Sequence, residues 1–181
     1  MKHIIFFLLI GLFGQSATAQ SLKYLDQKNG IKDFKIGDSY ERWEEFLDPV
    51  NAQQGVYKYT GSVCKDIFGR KVSSVMLVFA SGRLIAINVK TSDLANKNID
   101  GSYNIVYGGY VEEKLIGLFG KPLVYEKKGD DSVMRHKMQW TSRKLVLQVK
   151  VNYGSRKDGR QDAAFWMIDK RYIDKRKYEG V

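Results

Sequence analysis

Few residues of this sequence are suited to acid-base or nucleophilic chemistry. After the first 19 residues the chain has one histidine, His136, and the whole chain has one cysteine, Cys64. A serine or cysteine nucleophile needs a neighbouring base, so His136 is the imidazole that would have to serve. It alternates with Met138 and Trp140 in a strand-like pattern, which is typical of a histidine in or near a core. We therefore expect His136 to be structural and Cys64 to be a buried, unreactive thiol.

The familiar catalytic and metal-binding motifs are missing from the sequence. It contains no HExxH, GxSxG or phosphate-binding loop, and no Cys/His cluster with metal spacing, so we expect no cofactor and no metal. Paired carboxylates for glycoside hydrolysis need only be close in space. The acids of the two predicted helices are expected on their solvent sides: Glu41, Glu44, Glu45, Glu112 and Glu113. A hydrolase without a local motif is thus an alternative, and a non-catalytic role is favoured.

Aromatic and basic residues are the more suggestive feature. Residues 126–181 hold 15 lysines and arginines against 8 acids, a net charge of +7, which favours anionic partners. Rings such as Tyr153, Phe165 and Trp166 accompany them in the last strands. We predict a binding surface among residues Tyr57, Tyr59, Arg135, Lys137, Trp140, Arg143, Lys144 and Lys150. The alternative is that the rings pack helices onto sheets and the charges solvate the outer strand faces.

The N-terminus has the three parts of a secretory signal peptide. Lys2 precedes an apolar stretch at residues 4–13, and Ala17 and Ala19 are small residues at a cleavage site. We predict cleavage after Ala19. A membrane anchor would need roughly 20 apolar residues, and the chain becomes polar at Gln15. The expected product is a soluble protein of the periplasm or the medium, with no membrane span.

Two helices are expected to position these residues, each followed by antiparallel strands. Asp38 caps a predicted helix at residues 39–47 that ends before Pro49. A second helix is predicted at residues 110–119, ending at Gly120. The predicted strands are residues 56–59, 62–67, 72–80 and 84–91, then 123–127, 133–141, 144–153 and 162–170.

The helix and hairpin patterns recur, which predicts an internal repeat. The expected fold is α+β, with two tandem units of a helix plus an antiparallel β-meander. The predicted boundaries are a signal peptide at 1–19, a first unit at 20–91, a linker at 92–107 and a second unit at 108–181. The second unit ends in a basic tail that begins at Arg171.

An exported chain in which a segment such as IGDSYERWEEFL precedes a meandering sheet, given twice, resembles the beta-lactamase-inhibitor-protein type of fold. Small outer-membrane assembly lipoproteins use a single related unit. The paired disulfides of that family and a lipoprotein cysteine are absent here. The resemblance implies a tandem fold and an interaction role, and it transfers no functional residue.

Taken together, these features predict a non-catalytic binding protein of a bacterial cell envelope with a macromolecular partner. The alternatives are a binder of anionic glycans or lipid head groups through a basic C-terminal face, and a periplasmic hydrolase. The partner is expected to be a protein or an anionic envelope polymer. Nucleic acid is not expected, because no recognition motif accompanies the charge.

Overall fold

The structure, a computed structural model, describes residues 16–94, 96–104, 110–129, 134–154 and 159–173. They contain the helices α1 (Ser16–Lys28) and α2 (Tyr110–Phe119). The strands are β1 (Gly30–Ile31), β2 (Phe34–Lys35), β3 (Leu47–Asn51), β4 (Val56–Tyr59), β5 (Asp66–Ile67), β6 (Arg70–Ala80), β7 (Arg83–Leu94), β8 (Asn96–Lys97), β9 (Tyr103–Asn104), β10 (Val124–Gly129), β11 (Met134–Thr141), β12 (Leu145–Tyr153) and β13 (Arg160–Asp169).

Nine of these strands form one antiparallel sheet. Its order is β10-β11-β12-β13-β7-β6-β4-β3, and β5 pairs with β6 at one side. The long central pairings are β6 with β7, β7 with β13 and β13 with β12. Two small hairpins, β1-β2 and β8-β9, stand apart from the sheet.

The sheet has one covered face and one open face. Alternate residues of β12, from Leu145 to Tyr153, are buried on the covered face, where α1 and α2 pack. The other face, which we call the open face, carries Gln148, Lys150 and Asn152 from the same strand. This division follows from the period of two in a strand and is typical of an antiparallel sheet with one solvated side.

The prediction of two separate helix-plus-meander units is wrong. β13 pairs with β7 over nine successive residue pairs, from Arg160↔Leu94 to Ile168↔Ala86, so the strands of both predicted units belong to one sheet. The molecule is predominantly β, with few and short helices. Because the β7–β13 pairing links segments that are distant in sequence, no local sequence pattern predicts it.

The helix predicted at residues 39–47 is also wrong. Only Glu44–Phe46 form a short 3₁₀ turn. The backbone here bonds to the β6–β7 turn: Tyr40 N–H donates to the Gly82 carbonyl, and Leu84 N–H donates to the Asp38 carbonyl. These bonds compete with helix formation and bring the Trp43 ring into the core, where its Nε1 atom donates to the Asp38 carboxylate.

Several local predictions are confirmed. Helix α2 occupies the predicted residues 110–119, and strands β6, β7, β11, β12 and β13 lie close to their predicted bounds. Cys64 is buried as expected, although it lies in irregular structure at a φ of 60° instead of in a strand. The predicted linker contains the end of β7 and the β8-β9 hairpin.

The predicted signal peptide lies largely outside the described residues. Its last four residues, 16–19, are described and belong to the start of α1. Residues 174–181 of the basic tail also lie outside the described residues. In the described parts of the chain, no helix has both the length and the hydropathy to cross a membrane.

Candidate binding surface

Three lysines lie on one line across four strands of the open face, with an alanine between the second and the third. Lys137 of β11 is directly opposite Lys150 of β12, and Lys150 is opposite Ala164 of β13. Ala164 is in turn opposite Lys90 of β7. We call Lys90, Lys137 and Lys150 the lysine row. Since neighbouring strands are about 4.8 Å apart, the row spans roughly 15 Å across the sheet.

Two carboxylates lie near the lysine row: Glu126 at the β10 edge, and Asp162, two residues before Ala164 on the open face of β13. Lys137 Nζ lies 3.5 Å from Glu126 Oε1 at the β10 edge, with both side chains partly exposed. Lys90 and Lys150 are exposed and make no ion pair with any residue that the structure describes. Like charges directly opposite one another destabilise a sheet. The Lys137–Lys150 pair is therefore a local cost that an anionic ligand would relieve.

A tryptophan lies beside this row on the same face. Trp166 of β13 is opposite Gln148 on one side and Asn88 on the other, and Asn88 is opposite Met76 of β6. Asn88 is buried, and its Nδ2 atom donates to the Phe165 carbonyl at 3.2 Å. The Trp166 side chain is half-buried and thus partly accessible. An amphipathic ring next to lysines is suited to contact with a partner.

The structure separates the predicted basic residues into two groups. Arg135 lies two residues before Lys137 and is opposite Asn152, so it shares the open face with the lysine row. Arg143 and Lys144 precede β12 in the β11–β12 turn, where the Lys144 N–H donates to the Asp26 carboxylate. Lys144 is six residues from Lys150, roughly 20 Å along the strand. The turn is a separate basic site.

The three predicted aromatic surface residues are on the covered face, which corrects that part of the prediction. Tyr59 is buried against Phe34 and Trp43, and Tyr57 packs against Phe79 and Tyr40. Trp140 is 1% exposed. Its Nε1 atom donates to the Gly120 carbonyl at the end of α2 over 2.8 Å. These rings fix helices and turns to the sheet, as the alternative interpretation stated.

A largely buried polar cluster joins α2 to the sheet. His136 Nδ1 lies 2.5 Å from Glu112 Oε1, to which Tyr153 Oη also donates at 3.1 Å. Tyr125 Oη donates to Glu112 Oε2 at 3.3 Å. Burial and the neighbouring Glu112 carboxylate raise the pKa of Tyr125, so the phenol keeps its proton and serves as a donor. We call Glu112, His136, Tyr153 and Tyr125 the polar cluster.

The polar cluster contains a Glu–His pair, and three of its four members are buried, whereas Tyr125 is 44% exposed. Glu112 and His136 are each 2% exposed and Tyr153 is 1% exposed. The expectation that His136 is a core residue is confirmed, whereas the expectation that Glu112 faces solvent is wrong. Within the described part of the chain, no three His, Cys, Asp or Glu side chains gather closely enough to hold a metal ion.

Sequence reasoning missed three residues that matter here. Glu112 is on the same helical stripe as Leu115 and Phe119, at spacings of three and seven, and this spacing was the available signal. Trp166 was grouped with the other rings but not singled out. Lys90 was missed because its place in line with Lys150, with Ala164 between them, depends on the β7–β13 pairing.

Comparison with protein families, characterised proteins and solved structures finds no match to this chain. The resemblance to the beta-lactamase-inhibitor-protein type thus stays a prediction.

Proposed function

We propose that this protein is an exported, non-catalytic binding protein of a bacterial cell envelope whose open face holds an anionic polymer. The observation that carries the proposal is the lysine row: three ammonium groups in register, two of them without an ion-pair partner among the described residues. A polymer with repeated negative charges would contact all three at once. Regular strands hold the lysine row, so no loop has to become ordered when a ligand binds. This lowers the entropic cost of binding and further supports the proposal.

Export rests on the sequence of the first 19 residues. The protein recovered from a bacterial periplasm should have the mass of a chain that starts at Gln20. Recovery of the uncleaved chain in the membrane fraction would contradict this part of the proposal.

A polyanion-binding assay tests the function. We expect affinity for heparin or lipopolysaccharide to fall steeply with salt, because exposed charges are screened over about 8 Å at physiological ionic strength. The double variant Lys90→Gln, Lys150→Gln should bind about tenfold more weakly at low salt, since each exposed charge contributes up to about 1 kcal/mol. Its thermal stability should be unchanged or slightly higher, because a like-charge pair is removed.

The matched control is Lys23→Gln, Lys121→Gln. It removes the same charge from exposed sites on α1 and just after α2. We expect its affinity to stay within about twofold of the original protein. If both double variants lose affinity equally, the binding follows net charge and the open face has no special role.

Trp166 favours a second candidate, a protein partner held on the same face. Tryptophan at the centre of an interface commonly contributes 2 kcal/mol or more, about thirtyfold in affinity. A protein partner captured from the envelope should then respond strongly to Trp166→Ala and weakly to salt. A steep salt dependence with little effect of Trp166→Ala would instead support the polymer.

A further inference from the structure

An apolar cleft of about 360 Å³ opens on the covered face of the sheet, between α1 and α2. Its floor is formed by side chains of the sheet, namely Leu147, Phe165 and Met167. Leu118 and Phe119 of α2 form one wall. We call this space the apolar cleft. It is on the opposite side of the sheet from the lysine row, so it does not depend on the function proposed above.

The chemistry of the lining restricts the ligand. Lys28 and Lys32 are the charged residues of the lining, and the other lining residues are glycine, aliphatic or aromatic. Water inside such a space finds few hydrogen-bond partners, which makes its displacement by an apolar group favourable. The volume falls at the low end of the range for small-molecule sites, roughly 300–1,000 Å³. A single hydrocarbon chain fits this space better than a helix or a folded partner.

The two lysines place positive charge at the rim of the apolar cleft. Lys28 Nζ lies 5.1 Å from the centre of the Tyr24 ring, which holds the ammonium group beside the cleft. Lys32 Nζ is 3.1 Å from Asp66 Oδ1, and both side chains are substantially exposed. No carboxylate lines the cleft itself among the described residues. A ligand with an apolar chain and a negative head group would therefore match both the floor and the rim.

We propose that the apolar cleft binds a single-chain anionic amphiphile, of which a medium-chain fatty acid is the simplest example. The hydrocarbon chain lies over Leu147, Phe165 and Met167, and the carboxylate faces Lys28. Each methylene group removed from water strengthens binding about fourfold, so affinity should rise with chain length until the cleft is filled.

Isothermal titration calorimetry with dodecanoate below its micelle concentration tests the proposal. The charge-reversed probe is dodecyltrimethylammonium, which has the same chain. We expect dodecanoate to bind at least tenfold more tightly than the cation, and octanoate to bind more weakly than dodecanoate. No detectable binding of dodecanoate, or equal affinity for the anion and the cation, would overturn the proposal.

Two pairs of variants locate the binding. Leu118→Glu places a charge in the cleft, and its control is Ile116→Glu on the same helix outside the lining. Leu118 and Ile116 are 39% and 37% exposed, so both variants should fold, which circular dichroism can verify. We expect Leu118→Glu to reduce dodecanoate affinity at least tenfold and Ile116→Glu to leave it within twofold. Lys28→Gln should reduce it several-fold, and the exposed Lys23→Gln should not. If Leu118→Glu and Ile116→Glu behave alike, the cleft is not the site.

Discussion

At the scale of single residues, Glu112 determines how α2 is attached. Its carboxylate accepts from two tyrosines and lies within hydrogen-bond distance of His136 Nδ1, although it is almost completely buried. A buried polar group is tolerated when its partners are present and becomes costly when one partner is removed. The cluster is therefore a place where one substitution has a large effect on folding and no direct effect on the open face.

Glu112→Ala should lower the free energy of unfolding by about 2–4 kcal/mol, because His136 and Tyr153 then lose a buried partner. Urea denaturation followed by circular dichroism measures this. The exposed neighbour Glu113 is the control, and Glu113→Ala should change stability by less than about 0.5 kcal/mol. Equal midpoints for the two variants would show that the polar cluster adds little to the stability of the fold.

Cys64 is a second residue whose environment can be measured directly. Burial raises the pKa of its thiol from about 9 to about 11. At pH 8 roughly one thiol in a thousand is then ionised in the folded protein. A disulfide reagent should react more than a hundredfold more slowly with the folded protein than with protein in denaturant. Rapid labelling of the folded protein would instead indicate an accessible, reactive thiol.

The same shift makes stability depend on pH. Because the folded state keeps the thiol proton more strongly than the unfolded state, this contribution is present below pH 9 and is lost as the pH rises towards 11. Cys64→Ala lacks the titrating group. The stability difference between the original protein and this variant should therefore shrink over that pH range, and a constant difference would contradict the assignment.

At the scale of elements, both helices are fixed to the sheet by carboxylates. Glu112 holds the start of α2, and the Trp140–Gly120 bond holds its end. On α1, Asp26 Oδ1 accepts from Ser142 Oγ at 2.5 Å and from the Lys144 N–H at 3.1 Å. These contacts place both walls of the apolar cleft.

Asp26→Ala should loosen α1 from the β11–β12 turn. Hydrogen-deuterium exchange of amides near residues 22–28 should become faster, by a factor that corresponds to about 1–2 kcal/mol. Amides of β7 and β13 should be unaffected, since they lie in the middle of the sheet. Lys23→Ala, an exposed change on the same helix, is the control. Unchanged exchange in Asp26→Ala would mean that apolar packing of Leu25 holds the helix without the aspartate.

The elements also show what the sequence could and could not predict. α2 and the long strands were predictable because the spacing of apolar residues within each segment shows the helical period of 3.6 or the strand period of 2. Residues 39–47 have a helical stripe of aromatics, yet their backbone bonds go to the β6–β7 turn. The lysine row was half predictable: Lys137 and Lys150 follow from hairpin pairing of β11 with β12. Lys90 joins them through the β7–β13 pairing, which links residues about 75 positions apart.

At the scale of the whole molecule, the sheet separates two different environments. The covered face contains a continuous apolar core that runs from Leu25 and Phe34 to Phe165 and Met167. The open face carries the lysine row and Trp166. Two binding sites of different chemistry can coexist in this arrangement, because a ligand on one face does not compete for side chains on the other.

The continuous sheet predicts that the protein unfolds as one unit. β7 and β13 lie at the centre, and separating them would expose both strand edges and divide the core.

The three tryptophans provide local probes: Trp43 reports the part before residue 92, and Trp140 and Trp166 report the part after residue 107. Trp43→Phe leaves fluorescence from the later part, and the double variant Trp140→Phe, Trp166→Phe leaves it from the earlier part. Each variant also retains the far-ultraviolet circular dichroism signal of the whole chain. Within each variant, we expect fluorescence and circular dichroism to give the same denaturant midpoint, as two-state unfolding requires. Comparing two signals from one molecule removes the stability change that each substitution causes. A fluorescence midpoint that differs from the circular dichroism midpoint, in opposite directions for the two variants, would mean that the two parts fold independently despite the shared sheet.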